Sequence, residues 1–321
     1  MRQRSNAISR RALIAGSAAV GAVSLAPSRP ALAQAPSGVH MAGVHTFKVG
    51  VAEVTVLSDG ALTLPVNVML PGRETAEIET VFAKAGQAFS GLNSQINVAV
   101  IKFGAEVILV DTGGGPDFMP TLGKLGDRMQ AAGFAPEAVT KVIITHGHPD
   151  HLWGVIDPLG GGTLFEKAQH LMPIVEFDFW IQSDVDARVP EAFRGMAVGT
   201  HRRLKSIAER IKPVASGSEI VSGIQFVDTS GHTPGHVSVL LRSGTEQLLI
   251  GSDALTQSVI SFAAPDWRWG PDMDHDKAAA SRRRILDQLA TDRIRLLGYH
   301  LPWPGLGHVE RRDGAFRFVA V

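Results

Sequence analysis

His146-Gly147-His148-Pro149-Asp150-His151 places four side chains able to bind a divalent cation within six residues. The residues leading into it, 141–145, read as a short buried strand. A strand that feeds such a cluster can aim alternate side chains, His146 and His148, at one ion. The turn beyond it brings Asp150 and His151 toward a second ion roughly 3.5–4 Å away, the spacing of two-metal hydrolytic sites. A solvated histidine-rich loop would need neither this order nor the strand in front of it.

Outward from the cluster, the pattern alternates strand pairs with helices. From Phe47 the chain reads as β, with Val49, Val51, Val54 and Val56 followed by a Ser58-Asp59-Gly60 turn. Residues 97–103 and 106–110 form a hairpin turning at Gly104-Ala105 and ending in Asp111-Thr112-Gly113-Gly114-Gly115. Phe118, Leu122, Leu125 and Met129 then fall at helical spacing, with Pro116 near the start and Gly133 past the end, which predicts a helix there. The second half repeats the plan. Ile224–Asp228 leads into Thr229-Ser230-Gly231-His232, and residues 237–242 and 247–250 pair before Gly251-Ser252-Asp253. A helix over 276–290 shows Ile285, Leu286 and Leu289 on one face. Two such halves predict an α/β (α+β) architecture, an αββα sandwich of two mixed sheets flanked by helices.

Bulk properties narrow the function. The chain of 321 residues has no cysteine, which excludes disulfides, thiolate metal sites and a cysteine nucleophile. Any metal must be held by imidazole and carboxylate, and 12 histidines are available. Lys+Arg and Asp+Glu both number 31, but the first 35 residues hold Arg2, Arg4, Arg10, Arg11 and Arg29 and no acid. Subtracting those five arginines leaves 26 basic against 31 acidic groups, a poor match for nucleic acid or an anionic membrane. Ser9-Arg10-Arg11-Ala12-Leu13-Ile14, the Ala/Gly-rich run to Ala26 and the small-x-small sites at Ala31-Leu32-Ala33 and Ala33-Gln34-Ala35 read as a twin-arginine signal. We therefore expect a signal over 1–35, a flexible leader over 36–46 and one domain over 47–321. The precursor would meet the twin-arginine export machinery, and the mature protein would be periplasmic or secreted with no membrane anchor.

The hexapeptide resembles the His-x-His-x-Asp-His signature of the metallo-β-lactamase superfamily. That resemblance implies further ligands, and the chain supplies them in order: His232 in Ser230-Gly231-His232-Thr233-Pro234-Gly235-His236, Asp253 in Gly251-Ser252-Asp253, and His300 in Gly298-Tyr299-His300. It implies His146, His148 and His232 on one metal, Asp150, His151 and His300 on the other, and Asp253 between them. Two divalent ions are expected, zinc first, with manganese, iron or cobalt as alternatives. Asp111 would brace the ligand loop and His236 would hydrogen-bond within its own. His40, His45, His170, His201, His275 and His308 have no ligand-like setting.

Within the superfamily the pattern is similar to the methyl parathion hydrolase-like group, through Leu57-Ser58-Asp59-Gly60, Pro120-Thr121-Leu122-Gly123 and Pro304-Gly305-Leu306-Gly307-His308 among others. The resemblance implies a dimer and a hydroxide shared by the two metals, which cleaves a hydrophobic ester, an organophosphate triester first. Asp150 or a metal-bound water is the candidate acid for an alkoxide leaving group. Phe118, Trp180 and Phe193 match aromatic positions of that pattern, and Trp153, Leu255, Trp267 and Trp269 complete the expected substrate pocket. Small acyl-homoserine lactonases carry a tyrosine shortly after the bridging aspartate, whereas here Ala254-Leu255-Thr256 follows and the sole tyrosine is Tyr299. The alternatives are a lactonase or carboxylesterase on the same site, or an iron-containing redox or metal-binding protein on the same scaffold.

Overall fold

Strand residues 96–101 are buried without a break, because both faces of their strand are covered. Ile96, Val98 and Val100 point toward flanking helices, while Ala99 and Ile101 point into the space between two sheets. The chain, seen here in a computed structural model that describes residues 42–158 and 160–321, builds this pattern twice. The expected signal lies outside the described residues.

The first sheet has seven strands in chain order: β1 (Val44–Val49), β2 (Ala52–Leu64), β3 (Leu92–Phe103), β4 (Glu106–Val110), β5 (Lys141–Ile143), β6 (Gln169–Pro173) and β7 (Ile211–Val214). Pairing is antiparallel through β4 and parallel from β4 to β7. The second sheet runs, again in chain order, through β8 (Glu219–Val221), β9 (Ile224–Asp228), β10 (Val237–Ser243), β11 (Glu246–Ile250), β12 (Arg295–Leu297), β13 (Leu306–Arg312) and β14 (Ala315–Ala320). Its one parallel pair is β11 with β12. Val54, Val56, Ile101 and Ile108 of the first sheet meet Phe226, Val239, Leu241 and Ile250 of the second in a dry central layer.

The helices are α1 (Val66–Met69), α2 (Thr75–Lys84), α3 (Leu125–Ala131), α4 (Pro149–Leu152), α5 (Ile174–Trp180), α6 (Arg194–Ile207), α7 (Ile260–Ala263) and α8 (His275–Asp292). Leu125, Met129, Ala197 and Leu204 cover the outer face of the first sheet, and Ile285, Leu286 and Leu289 of α8 cover the second. Each fully buried leucine of this kind stabilises the fold by about 1.5–3 kcal/mol. The αββα sandwich of two mixed sheets is the architecture observed.

Three local expectations are corrected. Ser58-Asp59-Gly60 is a bulge inside the 13-residue β2 and not a turn. There the buried Asp59 carboxylate accepts the backbone N–H groups of Gly114 and Leu125, and a Cβ on Gly60 would sit 2.1 Å from the Thr121 carbonyl oxygen. The helix expected from Pro116 forms only over Leu125–Ala131, because Gly115 and Gly123 take left-handed φ angles of 64° and 83° and Pro120 interrupts the run. The expected leader ends early: residues 44–46 already pair with 55–57 in β1 and β2. No helix among the described residues is long and apolar enough to cross a membrane.

Candidate metal centre

Ligand residues arrive from the carboxyl ends of four strands. His146 and His148 follow β5, His232 follows β9, Asp253 follows β11 and His300 follows β12. Pro149, at the first position of α4, starts a single helical turn because its ring fixes φ and its missing N–H is not needed there. That turn carries Asp150 and His151 round toward the cluster.

Two groups of ligand atoms result. His146, His148, His232 and Asp253 form one, and Asp150, His151 and His300 the other, with the atoms of each within 4.8 Å of one another. Asp253 faces both. Its Oδ2 lies 3.2 Å from His232 Nε2 and 4.0 Å from His146 Nε2. Its Oδ1 lies 2.9 Å from His151 Nε2 and 3.1 Å from His300 Nε2. Asp150 Oδ2 closes the second group at 3.4 Å from His300 Nε2 and 3.7 Å from His151 Nε2.

The donor set fits a pair of divalent cations. His146 Nε2 is buried yet makes no hydrogen bond, a costly arrangement for a lone pair unless a cation takes it, and Asp253 Oδ1 meets only the ring nitrogens of other candidate ligands. Imidazole and carboxylate without thiolate suit zinc, manganese, iron or cobalt equally in kind.

Protonation follows the same map. Burial holds His146 and His148 well below the ordinary imidazole range, reinforced by neighbouring histidines. For His232 burial acts against the charge, but Asp253 and Asp272 outweigh it and push the ring up to about 9. Burial would raise the Asp253 carboxyl; His300 and His151 override it and hold the group well below the carboxylate range. Asp253 is thus held ionised by protonated His151 and His300, whose protons, with that of His232, a bound cation would displace.

The ligands are braced by neighbours. Asp111, strained at φ 61°, accepts from His151 Nδ1 at 2.8 Å, from Thr145 N–H at 2.8 Å and from the Thr145 hydroxyl at 2.9 Å. Ser252, also left-handed at φ 45°, lies 2.7 Å from the same hydroxyl, Oγ to Oγ1, so the corresponding strand ends of the two sheets share one network. His236 Nε2 accepts the Asp253 backbone N–H at 3.1 Å, which puts the proton on Nδ1, 2.8 Å from Thr229 Oγ1. Its place is thus both within its loop and under Asp253.

Three supporting residues were not anticipated. Asp272 accepts from His232 Nδ1 at 2.8 Å and is itself held by Arg282 of α8 at 3.0 Å. The buried Glu176 of α5 accepts the Gly147 N–H at 3.0 Å and the Gly235 N–H at 2.8 Å, tying both histidine loops together. Tyr299 stacks on His151 at 4.0 Å and donates to the Asp150 carbonyl at 2.7 Å. Glu176 was detectable as an acid among Ile174, Val175 and Phe177; Asp272 carries no comparable signal.

A cavity of about 100 Å³ opens on the two groups. Of the expected pocket residues it takes Phe118, Phe193 and Trp269, joined by Leu62, Leu64 and Met196. The other four lie elsewhere. Trp180 is buried beneath the histidine loop, its indole N–H on Glu176, and a Cβ on Gly147 would fall 2.4 Å from it. Trp153 stands behind Phe118, edge to face at 5.5 Å, and packs on α6. Leu255 is fully buried with Leu286 and Leu289 under α8, and Trp267 is half-buried on another face below the Arg73 guanidinium at 4.4 Å. Of the remaining histidines, His45, His170, His201, His275 and His308 belong to neither ligand group, and His40 lies outside the described residues.

Two sheets with ligands at their strand ends and a carboxylate between two imidazole groups define a dinuclear metallohydrolase scaffold. A family model described as Metallo-beta-lactamase superfamily matches residues 92–157. Among solved structures, AidC, a dizinc quorum-quenching lactonase in complex with a product, is 31% identical over 87% of this chain and 97% of its own, with a TM-score of 0.80. The hydrolase AbOPH of the beta lactamase superfamily is 26% identical over 88% of this chain and 98% of its own, also at 0.80. A probable metal-dependent hydrolase from Staphylococcus aureus shares the fold at 16% identity and a TM-score of 0.70, over 86% of this chain and 99% of its own. Compared with curated protein sequences, the chain matches none. The chain belongs to the metallo-β-lactamase superfamily, and it is a metal-dependent hydrolase.

Proposed function

We propose that this hydrolase cleaves an uncharged, hydrophobic ester, and that a lactone bearing an apolar acyl chain is its substrate class. One observation carries the reading: the cavity beside the metal ligands is walled by Leu62, Leu64, Met69, Phe118, Phe193, Met196 and Trp269, with no lysine or arginine in its lining. Such a wall rewards apolar surface and offers no partner to a substrate anion. The likeness to AidC over nearly its whole length supports a lactone.

Two bound cations would supply water activation at neutral pH and Lewis-acid polarisation of the acceptor oxygen. His146, His148 and His232 would hold one, and Asp150, His151 and His300 the other, with Asp253 facing both. Asp150 lines the cavity and is the carboxylate placed to take the proton of the attacking water and pass it to an alkoxide leaving group. Phe118, Phe193 and Trp269 exclude bulk water and orient the acyl chain.

A second reading, an organophosphate triester, is favoured by the presence of Phe118 and Phe193 in the wall, two aromatic positions shared with the methyl parathion hydrolase-like pattern. Initial rates on an N-acyl homoserine lactone and an aryl dimethyl phosphorothioate, each with a chelator control, separate the two. Faster chelator-sensitive opening of the lactone is expected. Faster phosphorothioate release would move the enzyme to the second reading, and no turnover of either would refute both.

We also propose export as a folded protein, from the Arg10-Arg11 pair and the apolar run behind it. Replacing both arginines with lysine should keep the protein in the cytoplasm; unchanged export would rule the twin-arginine route out.

A further inference from the structure

The cavity wall carrying Phe118 lies in residues 111–124, a stretch with no helix or strand. Gly113, Gly115 and Gly123 take left-handed φ angles, and the segment is anchored at both ends, by the Gly114 N–H on the Asp59 carboxylate and by Leu122 in the core, while residues 116–121 between them are exposed or half-buried. Between those anchors Phe118 is tied to α6, the helix that also carries the cavity residue Met196. Asp117, beside Phe118, binds the Arg203 guanidinium at 2.7 Å. That guanidinium lies 3.9 Å over the Trp153 ring, and the Trp153 ring meets Phe118 edge to face at 5.5 Å. The indole N–H of Trp153 donates to Thr200 Oγ1 at 3.0 Å, and the Thr200 hydroxyl donates to the Gly147 carbonyl at 2.8 Å, between metal ligands His146 and His148.

The fit is tight on the helix side. A Cβ on Gly199 of α6 would lie 2.3 Å from the Trp153 ring, so the helix is cut away to seat it. Arg203 is nearly buried although its partner Asp117 is largely exposed, so the arginine is held by the helix side and the aspartate reaches it from the solvent side.

We infer that Asp117, Arg203 and Trp153 form a clasp that sets the width of the substrate cavity. Closed, it holds Phe118 over the metal ligands and selects compact acyl groups; released, it lets the outer part of the segment, residues 116–121, withdraw and admits bulkier ones, while the buried residues 111–115 stay in place beside the histidine loop. None of the three residues lines the cavity, so they act through Phe118 as positioning residues. The inference rests on the reading of this cavity as the acyl site. A single methylene in an apolar pocket is worth roughly tenfold or more in discrimination, so a small movement of one aromatic wall is enough to change selectivity.

The test compares Asp117→Asn and Arg203→Met with the wild type on a short-chain and a long-chain acyl homoserine lactone, with metal content measured in each protein. Release of the clasp should shift the ratio of kcat/KM about tenfold toward the long chain, mainly through KM, with metal content intact. Arg203→Lys, which keeps the charge, should restore part of the selectivity. An unchanged ratio, or a proportional loss on both substrates, would overturn the clasp. Hydrogen exchange of residues 116–121 gives a reading that does not depend on the substrate: faster exchange in Asp117→Asn supports the clasp and unchanged exchange refutes it, even if neither lactone is turned over by the wild type. Asp117→Asn alters an exposed carboxylate, so folding of that variant is not at stake.

Discussion

A histidine that binds a metal through one ring nitrogen is only as good a ligand as the group on its other nitrogen. His232 has Asp272 there, and His151 has Asp111. Asp272→Asn keeps the shape and removes the charge, and should lower metal affinity about 10–100-fold in a chelator competition, with the fold retained; unchanged affinity would remove Asp272 from the centre. A second residue-scale effect lies far from the ligands. His170 is buried in β6, and burial lowers it to about 4. The unfolded chain takes up this proton near 6.5 and the folded chain only near 4, so the stability it supports is full above 6.5. That stability falls by about 3 kcal/mol as pH drops through the window. His170→Gln should show a flatter fall in urea midpoint between pH 7 and 4.5, and parallel curves for the two proteins would count against the assignment. Asp111 was legible in the sequence because it ends a strand before three glycines; Asp272 was not, because it reaches His232 through tertiary contacts, the Met273 N–H on the His232 carbonyl and Arg282 of α8.

At the scale of elements, strands were read well and the segments between them poorly. The strands β4, β9, β10 and β11 follow the apolar runs to within a residue, and β3 extends its run back to Leu92; in β3 and β10, covered on both faces, burial is written into consecutive residues. The helix expected over 116–132 shrank to α3 because helical spacing at Phe118 and Leu122 reflects contacts with Trp153 and the core, not a helical backbone. For the same reason Trp153, Trp180, Leu255 and Trp267 were expected in the wall they do not form: aromatic and apolar residues near a ligand motif can point either way along the loop. One junction carries much of the geometry. Gly154 donates to the Gly113 carbonyl at 3.0 Å, and a Cβ there would fall 1.9 Å from the Thr112 carbonyl oxygen. Gly154→Ala should therefore force the Asp111–Gly115 segment off the histidine loop and cost about 1–3 kcal/mol in chemical denaturation. A stability equal to wild type would show that this close approach is not required.

Across the whole molecule, the ligands draw the two sheets together at one edge. His146, His148, Asp150 and His151 come from the first sheet, and His232, Asp253 and His300 from the second. The order of all seven was readable from the sequence, but their convergence needed the sandwich, since the His300 loop is held to the first sheet by β3, where Asn97 donates to the Gly298 and Leu301 carbonyls and the Gln95 carbonyl accepts from His300 Nδ1. Bound cations should accordingly stabilise the fold as a unit: at free metal about a hundred times Kd, each site adds about 2.7 kcal/mol. Chelation should lower the melting temperature by several degrees, with recovery on adding metal back; an unchanged melting curve would mean the sites contribute nothing to the fold. Two ions held in the two ligand groups, with Asp253 facing both, is the arrangement the geometry predicts. Its most direct test is the metal-to-protein ratio of the loaded, desalted chain beside that of Asp253→Ala. Two ions per chain in the wild type, with at least one lost in the variant, is the predicted result; a ratio of one or none in the wild type, or two in both, would contradict the account.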